Sequence, residues 1–256
     1  MTLQLTGPVE GYSPPPFVDP PPYGYIYIGA SVEPPRRRAP FPGRSRKKNE
    51  LLAHLITLTS RLTAQADVVR ATLYRATLMP PLSAPGPRAP FDIAVLVETT
   101  SLESMEDVCQ TRGYSDLRDT LETASAALRV MQAACIRCIK DVAKKRCGTY
   151  LFNHFATEGS KEDALALWEH LAGWYTAETG LDNSTLLAPV KEDGDFVFVN
   201  HARWDERLPR VMVDQLFKRS FRSYVLANLK ANRVTARPVL YKVVHTAGAP
   251  QGSRSS

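Results

Sequence analysis

Residues 149–163 read TYLFNHFATEGSKED, and within them a strand is followed by the start of a helix. The run 149–157 is rich in aromatic and β-branched side chains, which is typical of a strand. Ser160 carries a hydroxyl that can cap a helix, and two acids follow in the first turn, where free amide groups favour them. Apolar residues then recur at helical spacing, and the helix is predicted to end at Gly180, a suitable left-handed cap.

The rest of the second half completes one recurrent unit. Strands are predicted over Ser184–Val190 and Phe196–Trp204, separated by an Asp-Gly turn signal. A second helix is expected from Leu208 to about Ala231, with Pro209 in its first turn. Val234–Val244 is the closing strand. This βαββαβ order is that of a ferredoxin-like unit, in which a four-stranded antiparallel sheet carries both helices on one face.

The first half has the same order of elements. Its predicted strands are Tyr23–Val32, Val68–Met79 and Phe91–Thr100, and its predicted helices are Asn49–Ala66 and a stretch from Glu103 into the 120s, interrupted near Gly113. The fourth strand is expected between Leu128 and Val142, where an alanine-rich run fits a helix nearly as well. The sequence therefore predicts an α+β chain of two such units.

Proline content marks the ends of these units. Eleven of the 20 prolines precede residue 45, so residues 1–22 are predicted to form an extended arm. The Gly/Ser/Pro-rich residues 246–256 are predicted to be a disordered tail. The first unit then covers residues 23–146 and the second covers residues 147–245.

The positive charge lies in one segment. Seven of the 32 basic residues fall between positions 36 and 48, where there is no acid, and the remainder of the chain has 25 basic against 26 acidic residues. Such a run is usually a solvated loop, and we interpret 36–48 in this way. The alternative is an interface for phosphates, whose binding would weaken steeply with salt. A nucleic-acid partner is not expected.

Composition and the N-terminus indicate a folded, cytoplasmic protein. Hydrophobic residues make up 44% and charged residues 23%, which is typical of a globular chain. No apolar run approaches the roughly 20 residues that span a membrane. Residues 1–5 lack the basic and apolar regions of a secretory signal. We therefore expect no membrane partner.

Four stretches carry a family resemblance: Gly148–Phe155, Trp168–Trp174, Thr179–Ser184 and Val199–Asp205. Through them the second half resembles an antibiotic biosynthesis monooxygenase-like domain, and the chain resembles a fused duplicate within the dimeric α+β barrel superfamily. The resemblance implies that the two sheets pack as a pseudo-dimeric barrel with the helices outside and a pocket inside.

A repeated dipeptide supplies the candidate site. Asn153-His154 lies on the first strand of the second unit and Asn200-His201 on the third. We expect these strands to be adjacent and parallel. Alternation along a strand then places both histidines on one face and both asparagines on the other.

The histidine face is predicted to form the pocket. His154 and His201 are candidate general bases, and Arg203 could hold a developing anion. Substrate is expected to contact Tyr150, Phe152, Asn153, Asn200 and Trp204. The alternative is that both histidines are core residues hydrogen-bonded to their neighbours.

The resemblance implies a small-molecule tailoring enzyme, namely a monooxygenase or cyclase that acts on an aromatic or polyketide-like substrate without metal or flavin. Some fused members carry haem, which leaves a haem protein as an alternative, with His154, His201 or His170 as the axial ligand. A non-catalytic ligand-binding or assembly module is a third reading. The chain could also form a homodimer.

Cys135 and Cys138 have C-x-x-C spacing, and Cys147 follows. A structural zinc site needs four ligands, and neither a second C-x-x-C nor a close histidine pair is present. We therefore predict that these cysteines are buried thiols rather than metal ligands.

Overall fold

The computed structural model describes residues 3–7, 12–35, 40–80, 91–144, 147–191, 196–205 and 219–248. The strands are β1 (Gly24–Ser31), β2 (Val68–Leu78), β3 (Ile93–Thr99), β4 (Ala127–Lys140), β5 (Thr149–Thr157), β6 (Ser184–Pro189), β7 (Phe198–Trp204) and β8 (Val234–Gly248). The helices are α1 (Arg46–Leu62), α2 (Ser104–Gln110), α3 (Arg112–Ala124), α4 (Lys161–Thr179) and α5, which joins the π-helical Phe221–Leu226 to the α-helical Ala227–Ala231.

The eight strands close into one antiparallel barrel in the order β1-β3-β2-β8-β5-β7-β6-β4. Each half contributes four neighbouring strands, β4-β1-β3-β2 from the first and β6-β7-β5-β8 from the second. Two seams join the halves, where β2 pairs with β8 and β4 pairs with β6. The predicted α+β class is confirmed, and the closed barrel leaves no strand edge unpaired.

The strands at the two seams differ most from the sequence-based expectation. β4 is a strand of 14 residues, so the helical alternative for this run is wrong. β8 has 15 residues and continues to Gly248, which places the first residues of the predicted tail in a strand. Both strands pair on two sides, one within their own half and one across a seam.

Helix α4 agrees with its predicted caps. Its N-cap Ser160 accepts from the amide of Asp163 at 3.1 Å, and its C-cap Gly180 adopts a left-handed φ of 66°. The other long helix of this half is described only from residue 219, so its predicted start at Leu208 lies outside the described residues.

The basic segment is only partly a loop. Ser45 caps α1 by accepting from the amide of Lys48, so the last residues of the segment are helical. The Lys48 ammonium group is buried against the carboxylate of Asp92, which also accepts from the amides of Val32 and Glu33. The interpretation of the whole segment as a solvated loop is therefore wrong at this end, and residues 36–39 lie outside the described part.

The barrel interior is filled by aromatic side chains. An eight-stranded barrel is just wide enough for side chains to fill it. The fully buried interior rings include Tyr25, Tyr27, Tyr74, Tyr150, Phe152 and Tyr241. The alternate residues of the strands pack on helices instead: Ile26 and Ile28 of β1 share a cluster with Leu55 of α1 and Leu117 of α3. No helix in the described residues is long and apolar enough to cross a membrane.

The N-terminal arm lies across the helices of the second half. Its contacts are Gln4 with Asn232, Thr6 with Asn228, Tyr12 with Glu178 and Phe17 with Trp168. Val18 then forms a backbone bridge to Cys138 of β4. At the closest approach, the carbonyl of Ser13 passes over Gly173 of α4. The arm therefore ties α4, α5 and β4 together.

Gly173→Ala should loosen the arm. A Cβ at this position would lie 2.3 Å from the carbonyl oxygen of Ser13, so the arm backbone must shift. We expect a loss of about 1–3 kcal/mol in the free energy of unfolding, although alanine is the better helix former. Urea unfolding measures this loss, and limited proteolysis should cut the arm of Gly173→Ala faster than the arm of the wild type. Gly159→Ala is the control, because its Cβ meets only Thr157 at 3.5 Å. Equal stability of both variants and the wild type would contradict a close arm contact.

Candidate functional site

The two strands that carry the Asn-His dipeptides are adjacent but antiparallel, so the predicted parallel arrangement is wrong. The physical reason is the chain path: α4 returns the chain so that β6 runs in the direction of β5, and β7 reverses from β6 and lies between them. Asn153 consequently lies directly opposite Asn200. Alternation still places the two histidines together on one face and the two asparagines on the other.

Both histidines project into the barrel interior and are hydrogen-bonded there. His154 Nε2 lies 2.8 Å from the hydroxyl of Tyr27, and its Nδ1 lies 3.2 Å from the carbonyl oxygen of Arg237. His201 Nε2 lies 3.3 Å from the hydroxyl of Tyr74, and its Nδ1 lies 3.2 Å from a backbone carbonyl of β5. Each tyrosine belongs to the first half of the chain, so these pairs connect the halves across the interior.

Burial controls the ionisation of these histidines. Desolvation lowers the pKa of His154 to about 4 and lowers the pKa of His201 well below its ordinary value. The His201 ring also stacks on Phe152 at 4.3 Å between ring centroids. Both imidazoles are therefore neutral at pH 7, and they have the environment of hydrogen-bonded core residues.

The buried histidines should make the protein sensitive to acid. In the unfolded chain His154 takes up its proton near pH 6.5, and in the folded chain only near pH 4, so the unfolded state binds more protons between these values. The neutral His154 imidazole therefore makes its full contribution to the free energy of unfolding above pH 6.5, and this contribution is lost as the pH falls toward 4. It amounts to about 3 kcal/mol for His154.

Urea unfolding at pH 7.5 and pH 4.5 measures this loss, with His154→Gln as the comparison. Carboxylates titrate equally in both proteins, so the difference between their pH profiles isolates the histidine. If the two profiles are parallel, His154 does not carry the pH dependence.

The other predicted site residues separate into two groups. Tyr150 and Phe152 belong to the interior cluster, and Arg203 lies with its guanidinium carbon 6.0 Å from the Tyr150 ring centroid. Arg203 also donates to Asp205 and to the carbonyl of Cys147. Trp204 packs in an apolar cluster on the opposite face of the sheet and donates to Thr179. None of these four residues lines the cavity described next.

A cavity lies on the asparagine face, between the sheet of the second half and helices α4 and α5. The centre of a water-sized sphere can move through about 80 Å³ of it. Since one water needs roughly 10–15 Å³ on this measure, the space exceeds that of a single water several-fold and suits a small planar ligand. The sequence-based expectation of a pocket inside the barrel is therefore corrected, because aromatic rings fill the interior.

Apolar side chains make up most of the cavity wall. Those from the helices include Trp168, Leu171, Tyr175, Phe221, Val225 and Leu229. The π-helical start of α5 supplies Phe221 and Val225, and π-helical turns are frequent at functional sites. None of the described residues that line the cavity carries a charge at neutral pH: the one titratable side chain is that of Tyr175, whose pKa is raised by burial.

Three polar side chains from the strands lie on one wall of the cavity. Asn153 and Asn200 were predicted to bind substrate, and the structure brings them together in its wall. Ser184, the first residue of β6, was not predicted: its hydroxyl donates to Asn200 Oδ1 at 2.5 Å. Trp168 and Tyr175 lie at helical spacing on α4, and such spacing cannot distinguish a core from a cavity wall.

The corresponding space in the first half is occupied by large aliphatic side chains. Leu55, Leu58 and Leu62 of α1 pack with Leu117 and Leu121 of α3 against the sheet, and all five are buried. The candidate site therefore belongs to the second half of the chain.

Comparisons with solved structures show related folds. An anthrone oxidase-like protein matches with a TM-score of 0.66 at 12% identity, covering 94% of this chain and 100% of that one. A proposed monooxygenase from Fusobacterium nucleatum subsp. nucleatum matches with a TM-score of 0.57 at 8% identity (89% and 94% covered), and another from Lactobacillus acidophilus with 0.53 at 8% (89% and 97%). No protein-family model and no curated protein matches the sequence.

The chain shares the overall fold of these proteins, which in this chain is a closed eight-stranded α+β barrel. At these identities the likeness concerns the fold alone, so the chemistry of this barrel must be argued from its own side chains. The prediction of buried thiols is confirmed for Cys135 and Cys138, which lie in the interior cluster, and is wrong for Cys147, which is exposed because it lies in the bend before β5. In the described residues no three potential metal ligands come together.

The residues around the cavity of this α+β barrel do not fit haem. No histidine, cysteine or methionine is among the described residues that line it. Both ring nitrogens of His154 and of His201 already have hydrogen-bond partners inside the barrel. His170 lies on α4 away from the cavity lining. No histidine ligand is thus presented to this space, and burial, which raises the pKa of Tyr175, disfavours the tyrosinate that could serve instead.

Protein purified from cells supplied with δ-aminolevulinate should therefore show no Soret band. Absorption spectroscopy with iron analysis on the same sample measures this. A stoichiometric Soret band that disappears in His170→Ala would show instead that the helix carries an axial ligand.

Proposed function

We propose that this protein is a monooxygenase-type enzyme that oxidises a neutral aromatic or polyketide-like molecule in the cavity between the sheet and helices α4 and α5. The observation that carries the proposal is the cavity itself: a largely apolar enclosure whose described lining residues carry no charge and whose asparagine and serine side chains lie on one wall. Such a site binds a planar apolar ligand by burial and orients it through a few hydrogen bonds. The fold likeness to an anthrone oxidase-like protein is consistent with it.

The lining limits the chemistry. The part of the lining that the structure describes contains no carboxylate, imidazole or ammonium group, and burial keeps Tyr175 neutral. Oxygenation without an enzymatic base requires a substrate whose own C–H bond is acidic, as in an anthrone, where a CH₂ group lies between two aromatic rings and opposite the ketone of the central ring. Molecular oxygen then supplies one oxygen atom to the new carbonyl, and the second leaves as water with the two hydrogens.

The side chains of the chain itself hold the substrate. Asn200 and Asn153 hydrogen-bond a polar group of the ring system, and an amide donor stabilises negative charge that develops on a ring oxygen. Trp168 and Phe155 pack against the aromatic faces, and the enclosure excludes water.

The test uses 1,8-dihydroxyanthrone as substrate, with oxygen uptake and the absorbance of the anthraquinone product as readouts. Asn153→Ala and His154→Gln are neighbours on one strand that face opposite sides of the sheet. We expect Asn153→Ala to lower kcat/KM by about tenfold or more, as for a lost hydrogen bond, and His154→Gln to leave it within about threefold.

The reverse result would place the chemistry inside the barrel and support the sequence-based assignment of His154 and His201 as bases. If the wild type binds the anthrone, seen as quenching of tryptophan fluorescence, but does not accelerate its oxidation, the second candidate function holds. That candidate is ligand binding without turnover, and the lack of a base among the described lining residues favours it. If the wild type neither binds the anthrone nor accelerates its oxidation, both candidate functions are wrong.

The arrangement of the halves supports one further proposal. Each half has the element order βαββαβ and the same relative strand order, and the halves meet at two antiparallel seams. A fused duplication of one unit accounts for both features, with the second copy keeping a cavity and the first filled by leucines.

A further inference from the structure

The hydroxyl of Ser184 determines whether the oxygen or the nitrogen of the Asn200 amide points into the cavity. Ser184 is 1% exposed, and its Oγ donates to Asn200 Oδ1 at 2.5 Å. The amide oxygen of Asn200 is therefore engaged within the protein. Because an amide is planar with its oxygen and nitrogen on opposite sides, the NH₂ group is the one that Asn200 can offer to a ligand.

Asn153 presents the opposite polarity. It lies directly across from Asn200 in the β5–β7 register, and facing residues of an antiparallel pair have Cβ atoms about 4.5–5.5 Å apart. Asn153 is 6% exposed and lines the cavity, and its Oδ1 has no hydrogen-bond partner in the described part of the chain. A buried acceptor of this kind is costly unless a ligand or water donates to it.

We propose that Ser184 is a positioning residue that gives the asparagine pair a fixed donor–acceptor polarity, so that the cavity selects a ligand hydroxyl over a group that cannot donate. A hydroxyl can donate to Asn153 Oδ1 and accept from Asn200 Nδ2 at once. A ketone or ether makes only the second bond and leaves the Asn153 oxygen unpaired. This inference rests on the proposed function, because it requires that the cavity binds an aromatic ligand.

The neighbouring residue provides a matched control. Thr185 follows Ser184 on β6, pairs with His201 and points to the other face of the sheet. It is 1% exposed, and its hydroxyl has no hydrogen-bond partner in the described residues. Thr185→Val therefore removes a buried hydroxyl from the same strand without touching the asparagine pair.

The experiment measures dissociation constants of 1-naphthol and 1-fluoronaphthalene by tryptophan fluorescence for the wild type, Ser184→Ala, Ser184→Thr and Thr185→Val. The two probes have nearly the same shape, but fluorine cannot donate. We expect the wild type and Thr185→Val to prefer 1-naphthol by about tenfold or more, since two hydrogen bonds distinguish the probes. Ser184→Ala should reduce the preference to about threefold or less, and Ser184→Thr should restore it.

A third probe reports the polarity directly. In Ser184→Ala the Asn200 amide is free to turn its oxygen toward the cavity. The NH₂ group of 1-naphthylamine has two N–H donors and the hydroxyl of 1-naphthol has one, so binding of 1-naphthylamine should strengthen relative to binding of 1-naphthol. Thermal unfolding of each variant verifies that it is folded.

The outcomes separate the two proposals. If the wild type prefers 1-naphthol and Ser184→Ala keeps that preference within twofold, Ser184 does not position Asn200, while ligand binding in the cavity stands. If the wild type binds both probes equally, the donor–acceptor polarity is wrong. If the wild type binds no aromatic probe, the proposed function fails and this inference fails with it.

Discussion

Closure of the barrel across two seams is the constraint on which the rest of the structure depends. Neither half is a complete sheet alone, because its outer strands must pair with those of the other half. Inside the barrel, Tyr27 reaches His154 and Tyr74 reaches His201, so each half completes the hydrogen bonding of the other. A buried polar group without a partner costs roughly 1–3 kcal/mol, which makes these pairs a requirement for correct assembly.

Closure also decides where a ligand can lie. Rings occupy the interior, and among the described residues the candidate cavity lies on a face of the sheet that helices cover. In the first half leucines close that space, and in the second half Asn153, Asn200 and Ser184 leave polar groups in it. The N-terminal arm holds α4 and α5 over the cavity from the outside, through contacts such as Phe17 on Trp168, itself a lining residue. From the outside inward, the candidate site therefore consists of the N-terminal arm, helices α4 and α5, the cavity and the sheet.

Features that depend on interactions between residues close in sequence were predicted correctly, and features that depend on distant residues were not. Local signals gave correct elements, for example the Ser160 and Gly180 caps of α4. The Asn-His repeat also indicated correctly that two neighbouring strands divide these residues between opposite faces. The structure packs aromatic residues on the histidine face and places a cavity on the asparagine face, and a histidine next to aromatic residues suits a pocket and a packed core equally well. Ser184 was missed, since a serine at the start of a strand has no local mark of function.

The sequence by itself determined the order of the elements, the two-unit organisation that they suggest, and the alternation that separates asparagines from histidines. These depend on periodicity and capping within a few residues. Only the tertiary structure decided the antiparallel pairing of β5 with β7, the filling of the interior and the position of the cavity. The physical reason is that side chains from distant segments compete for the same space, and which of them fills it depends on barrel closure rather than on any local pattern.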